Sequence, residues 1–291
     1  MRARTRILTL KSACIASTLA VGACDWAAAE LVPLPDRLTL PVFTAEVSDD
    51  TAANLQVAVS ATDRAGRSPG QPGFAGASRN GECRVYIDNV TPVSSDELYD
   101  RAFLHLDRVV RRSGGVEALL AEPDNIPVAH IWGDVNAPWR CIAGTIYNVQ
   151  AAGYPTVGFI STPDEDDSFA FSAIATHAVY IDMPVAIALD ARPQVDPVTN
   201  MIMVTARNEI LWNGAPVNQN TLRANLRNSQ TSALEPELHL KPESEASYDL
   251  TVKVLSIIVK SNVARFGFVG NERHRSFGKD ESGVDPTARG S

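Results

Sequence analysis

Near the end of the chain stands ARFGFVG (264–270), and 109 positions earlier stands PTVGFIS (155–161). Each is a short apolar run without alternation, as expected of a strand buried on both faces. Sliding residues 130–160 over 239–269 without a gap sets His130 on His239, Ala137 on Ala246, Gly158 on Gly267 and Phe159 on Phe268. Ile131 and Leu240 fall in short apolar strands, Asp134 and Glu243 follow them, and Trp139 and Tyr248 open the next segment. There Ile142, Ile146 and Val149 recur at helical spacing, as do Leu250, Val254, Ile257 and Ile258. Gly153 lies opposite Asn262, and these two residue types best tolerate the left-handed backbone that ends a helix. The spacing predicts one strand, helix, strand unit written twice.

The correspondence extends upstream. RVYIDNVTPVSSDEL (84–98) resembles EILWNGAPVNQNTL (209–222): a strand, a turn at Asp88-Asn89 or Asn213-Gly214, a Pro-Val pair and a helix start. Ser94 and Glu97 have the spacing of a capping box, after which Leu98, Ala102, Leu106, Val109 and Val110 share an apolar face. In the second copy Asn218 is the expected cap, and Leu222 and Leu226 lie one turn apart in a shorter helix. NLQVAVSA (54–61) parallels NMIMVTA (200–206), each an alternating strand. Arg207-Asn208 closes a tight hairpin in the second copy, where the first carries TDRAGRSPGQPGFAGASRNGE (62–82), a Gly, Ser and Pro-rich insertion expected to be mobile.

The remaining segments differ in character. MRARTR, Lys11 and the apolar SACIASTLAVGA (12–23) form an export signal too short to span a membrane. It offers lipidation at Cys24 or cleavage between Ala29 and Glu30, with an uncleaved anchor from Ile7 to Ala29 as the alternative. The expected organisation is an export signal at 1–29, a first unit at 30–161, an acidic linker at 162–174, a second unit at 175–272 and a frayed polar tail at 273–291. The expected fold class is α+β, two tandem units each with two helices packed on one face of a small mixed β-sheet.

Composition excludes some functions. With 291 residues, 45% hydrophobic and 21% charged, the chain can bury a substantial core. Its formal charge of -8 becomes -12 once the four cations before Cys24 are removed, which argues against a nucleic-acid partner. Cys83 and Cys141 remain in the folded part, as a disulfide in an oxidising compartment or as two buried thiols. His105, His130, His177, His239 and His274 are not paired at metal-ligand spacing, and the sequence carries no G-x-S-x-G elbow, phosphate-binding Gly loop or C-x-x-C. We therefore assign no catalytic residue, metal or cofactor from sequence. DEDD (164–167) could hold a divalent cation but reads first as an acidic linker kept soluble by its charge.

A strand hairpin, an NG.PV step into a helix, a strand ending in a Lys/Pro/acidic step, an aromatic residue opening a second helix and a final GFV strand together resemble the periplasmic domain of the ExbD/TolR family. The resemblance covers about 179–272 well and about 38–161 more loosely. It implies a non-enzymatic component of biopolymer transport, with an ExbB/TolQ-like channel and a TonB/TolA-like protein as partners, and peptidoglycan as a further one. The family also carries an alternating apolar strand ending in a Leu-Pro-like pair. Val179, Ile181, Met183 and Pro184 fit that spacing, as do Leu38, Leu40 and Pro41. The resemblance implies partner binding there by strand addition, whereas the residues alone also suit an ordinary edge strand stopped by proline. Family members have one such unit behind a membrane helix carrying an aspartate; Asp25 lies outside any hydrophobic span and takes no such role. Because family members act as homodimers, two tethered units imply an intramolecular pseudo-dimer.

Overall fold

The computed structural model describes residues 38–43, 45–47, 53–87, 91–162, 176–182, 199–231, 236–263 and 265–278. The fold is mixed α+β. Its first sheet is built from β1 (Glu46–Val47), β2 (Leu55–Ala61), β3 (Cys83–Tyr86), β4 (Ala129–Gly133), β5 (Thr156–Ser161) and β6 (His177–Asp182), in the order β1-β6-β5-β4-β2-β3. Its helices are α1 (Ser95–Arg112), the short α2 (Val116–Leu120) and α3 (Trp139–Ala151). The second sheet is built from β7 (Thr199–Val204), β8 (Ile210–Trp212), β9 (Ala215–Val217), β10 (Glu237–Pro242) and β11 (Phe266–Phe268), in the order β11-β10-β7-β8-β9. It carries α4 (Gln219–Gln230) and α5 (Tyr248–Lys260).

The segments β5-β4-β2-β3 and β11-β10-β7-β8 have the same strand order and the same pairing senses. In each, a central strand runs antiparallel to its hairpin partner and parallel to the strand that follows the first helix. Parallel neighbours cannot be joined by a tight turn, so α3 and α5 serve as the crossovers that return the chain for β5 and β11. Even the third strand of the second hairpin has a counterpart, an isolated antiparallel bridge between Val85 and Val93.

Local chemistry accounts for the element ends. Asn218 Oδ1 accepts from Thr221 N at 2.8 Å and Ser247 Oγ from Leu250 N at 3.3 Å, so both helices of the second half begin on side-chain caps. Ser94 Oγ likewise accepts from Glu97 N, while the Glu97 carboxylate turns forward to Arg101 rather than back to the cap. Gly153 (φ 107°) and Asn262 (φ 51°) stand just beyond α3 and α5, the left-handed positions expected from their alignment. Asn213 and Gly214 (φ 50° and 86°) make the β8–β9 turn.

Three sequence expectations are corrected. The 62–82 insertion packs against the fold: the buried Asp63 carboxylate accepts from Ala65 N, Arg67 N, Arg67 Nε and Ala75 N at 2.8–3.2 Å, and Phe74 is buried. A short carboxylate in a Gly-rich stretch can thus organise a loop whose composition alone reads as mobile. β6, expected at the head of the second unit, is instead a strand of the first sheet, paired antiparallel with all of β5. The tail does not fray from Arg273. A 3-10 turn at Asn271–His274 continues along α3 to the start of α1: Asn148 Nδ2 donates to Arg275 O at 2.8 Å and Ser95 N to Phe277 O at 2.9 Å.

Cys83 on the edge strand β3 is disulfide-bonded to Cys141 in the first turn of α3, across a sequence separation of 58. Closing a loop of that length restricts the unfolded chain by about 4 kcal/mol in the entropy model. The Cys83→Ser/Cys141→Ser double variant is expected to lose stability of about that order, measured as a drop in urea midpoint relative to the oxidised protein.

Candidate functional site

The residues that open α3 and α5 meet each other. Trp139 N donates to Ala246 O at 2.8 Å, and Tyr248 N donates to Ala137 O at 3.0 Å. One step further, Arg140 N donates to Ser244 O at 3.0 Å and Asp249 N to Val135 O at 3.3 Å. Pro138 and Ser247 form an antiparallel bridge between these pairs. Each bond is thus matched by one between the aligned residues with donor and acceptor exchanged, the pattern of an isologous contact about a local two-fold. The aromatic side chains repeat it: Trp139 stacks on Phe268 with ring centroids 5.6 Å apart, and Phe159 meets Tyr248 at 6.3 Å. Trp139 and Tyr248 are both fully buried. Burial pushes the Tyr248 hydroxyl well above its ordinary range.

An ion pair reinforces one side. Arg140 Nη1 lies 2.6 Å from Glu245 Oε2 and also donates to Arg79 O, while Nη2 reaches Gly81 O. Arg79 in turn donates to Ala206 O at 2.9 Å, so the ordered insertion is pinned between the two sheets' loops.

The two segments singled out as partner-binding lie along one edge of the first sheet. In β6, Val179 faces Phe159 and Ile181 faces Val157 in register, and both side chains are buried. Leu38, Leu40 and Pro41 belong to an extended stretch that runs past the end of β5: Thr162 N donates to Pro41 O at 3.0 Å and Phe43 N to Thr162 O at 3.2 Å. Beyond it, β1 pairs antiparallel with β6, Glu46 opposite Ala178 and Val47 opposite His177. Val179, Ile181 and the backbone of Pro41 are therefore engaged within the chain. Met183, Pro184 and Cys24 lie outside the described residues.

Asp134, to which the sequence gives no role beyond its place after a strand, is buried and holds the 38–41 stretch. Its Oδ2 accepts from Thr39 N at 3.1 Å and its Oδ1 from Asn136 N at 2.9 Å. Burial raises its pKa above the ordinary aspartate value, against the lowering effect of those two N–H groups. The signal available in sequence is its alignment with Glu243, whose Oε2 accepts from Ala206 N at 2.7 Å.

Another feature lies beside the disulfide. A cavity of about 650 Å³ is lined by Arg84, Arg140, Arg273 and His274 together with Cys83 and Glu82. Partial burial, with the Arg140 and Arg273 guanidiniums, lowers the His274 pKa below its ordinary value. His130 is buried, with Nδ1 3.2 Å from Gln56 Nε2 and Nε2 3.4 Å from Tyr180 Oη, while His239 Nε2 lies 3.1 Å from Glu237. Among the described residues no group of three or more His, Cys, Asp or Glu side chains could hold a metal ion, and no helix is long and apolar enough to cross a membrane.

Comparison with known families gives one result. The family described as "Biopolymer transport protein ExbD/TolR" matches residues 169–272. That is about a third of the chain, from before β6 through β11 into the 3-10 turn. No curated protein matches the chain. The matched segment thus includes a strand, β6, that lies on the other half's sheet.

Two outcomes are expected from this geometry. Truncating Trp139→Ala or Tyr248→Ala removes a fully buried aromatic and is expected to cost about 3–5 kcal/mol in either case, read from urea denaturation. For Asp134, a pKa raised in the folded state means the folded protein binds more protons than the unfolded chain above the ordinary value. Its favourable contribution is complete below that value and is lost as pH rises through the folded pKa. The stability of Asp134→Asn relative to wild type is therefore expected to rise as pH increases above the ordinary aspartate value. A difference independent of pH would contradict the assignment.

Proposed function

We propose that this protein is a non-enzymatic, ExbD/TolR-like component of biopolymer transport, working in a TonB- or Tol-type envelope system coupled to the proton-motive force. The match over residues 169–272 carries the reading. We read the two halves as a duplication of that unit, forming a pseudo-dimer within one chain. The shared strand order and the reciprocal bonds of Ala137, Trp139, Ala246 and Tyr248 support this. The protein is exported through residues 1–29 and tethered at Cys24, with an ExbB/TolQ-like channel and a TonB/TolA-like protein as partners. It contributes pairing and docking on the periplasmic side.

A second reading, a periplasmic module that binds peptidoglycan or another ligand apart from transport, is favoured by the Arg-lined cavity beside Cys83, which suits an acidic group. Deletion in the native host separates the two. The transport reading expects loss of TonB-dependent uptake or of envelope integrity, with a channel or TonB/TolA-like protein recovered from crosslinked membranes. Normal uptake and an intact envelope, with the protein sedimenting with isolated cell wall, would sink the first reading in favour of the second.

A further inference from the structure

The two sulfurs of the disulfide stand in different surroundings. Cys141 has no exposed surface, whereas Cys83, on an edge strand, is half-buried and forms part of the wall of the cavity of about 650 Å³. The rest of that wall is rich in cations. Arg84 comes from β3, Arg140 from α3 and Arg273 from the 3-10 turn of the tail. Two of the three guanidiniums are already paired, Arg84 with Glu82 at 3.0 Å and Arg140 with Glu245 at 2.6 Å. Arg273 has no ion pair among the described residues, which leaves the cavity a net positive charge. His274 adds nothing to it at pH 7, because partial burial and then the Arg140 and Arg273 guanidiniums lower its pKa.

A cross-link that only held β3 to α3 would need neither an open sulfur nor an unpaired cation beside it. Thiol–disulfide exchange needs both access to one sulfur and a second sulfur that leaves readily as a thiolate. Access selects Cys83 as the sulfur attacked. The leaving sulfur is then Cys141, the third residue of α3, where the positive end of the helix dipole and the adjacent Arg140 favour a thiolate.

From this asymmetry we propose that Cys83 is a thiol-exchange site, and that the cavity beside it selects thiols carrying a carboxylate. The incoming thiolate bonds to Cys83 Sγ, the Cys83–Cys141 bond breaks, and its electron pair leaves on Cys141 Sγ. The products are a mixed disulfide at Cys83 and a free Cys141 thiolate, with no net oxidation. A second such thiolate, attacking the ligand sulfur of the mixed disulfide, releases the ligand as its own disulfide and leaves both cysteines reduced. Arg273, the guanidinium with no ion pair, receives the carboxylate. The inference rests on the acidic-group reading of this cavity and not on the transport reading. Because it is read from covalent chemistry at Cys83, its failure is distinguishable from a failure to bind cell wall.

The oxidised full chain is exposed at low salt to excess 3-mercaptopropionate, 2-mercaptoethanol or cysteamine, which are anionic, neutral and cationic thiols. Aliquots are quenched in acid, and loss of the disulfide and the position of the adduct are read by mass spectrometry. We expect the adduct on Cys83, and a rate per thiolate about tenfold higher for 3-mercaptopropionate than for cysteamine. Added salt is expected to narrow that ratio. Arg273→Ala is expected to slow 3-mercaptopropionate while leaving 2-mercaptoethanol nearly unchanged. Arg273 is exposed, and an unchanged circular dichroism spectrum and urea midpoint will confirm that the variant is folded. An adduct on Cys141, or a disulfide that opens only once the chain is denatured, would overturn the proposal. Equal rates for the three thiols, or an Arg273→Ala effect shared by all of them, would do the same.

Discussion

The constraint on which the structure depends is that neither α3 nor α5 completes its first turn alone. The leading N–H groups of a helix have no partner within it and must find one elsewhere. α3 starts after Pro138, whose side chain offers no acceptor, and its Trp139 and Arg140 N–H groups are taken by Ala246 and Ser244. α5 starts after Ser247, yet its Tyr248 and Asp249 N–H groups are taken by Ala137 and Val135. Each half supplies the missing acceptors of the other. Separating them would also expose Trp139, Tyr248, Phe159 and Phe268 together, a loss of apolar burial at about 25 cal/mol per Å². The crossover helices, and the parallel strands they position, are therefore fixed by the junction between halves.

Chain exchange at the margins works in the same direction. β6 follows the first half and lies within the family-matched segment, and it closes the edge of β5. Residues 271–278 leave the second half and lie along α3. A Cβ on Gly144 would stand 2.3 Å from His274 O, so only glycine allows the tail this close to the helix. The first half is thus clasped by both ends of the second, and the disulfide from Cys141 to Cys83 extends that clasp to the far edge of its sheet.

Much of this is legible in sequence because it is written in local chemistry. Gly153, Asn262 and Asn213-Gly214 announce positive φ, Ser94 and Asn218 announce caps, and the apolar periods of α1, α3 and α5 announce buried faces. The alignment of Trp139 with Tyr248 and of Phe159 with Phe268 identifies the residues of the junction without revealing that they touch crosswise. Periodicity reports which side of an element is buried, not what buries it. The same limit explains β6. Val179 and Ile181 alternate as a strand should, but nothing in six residues says which sheet edge they join. Asp63 and Asp134 draw no attention in sequence because a carboxylate that accepts backbone N–H groups looks, in a string of letters, like any surface aspartate.

Equivalent positions in one chain can also specialise, as positions in two identical copies cannot. Gly133 is crowded by Tyr248, whose ring would stand 2.3 Å from a Cβ at that position, whereas the aligned residue facing the Trp139 side is Pro242. One half carries the disulfide, the long charged α1 and the ordered insertion; the other has a short α4 and a tight hairpin at Arg207-Asn208. In a homodimer each such change would appear twice and would have to suit both environments. On the proposed duplication, tethering removes that restriction and supplies a high effective concentration at the junction. The Ala137–Trp139 contact then need only be strong enough to orient two halves that are already held together, which leaves α1 and the sheet edges free to diverge.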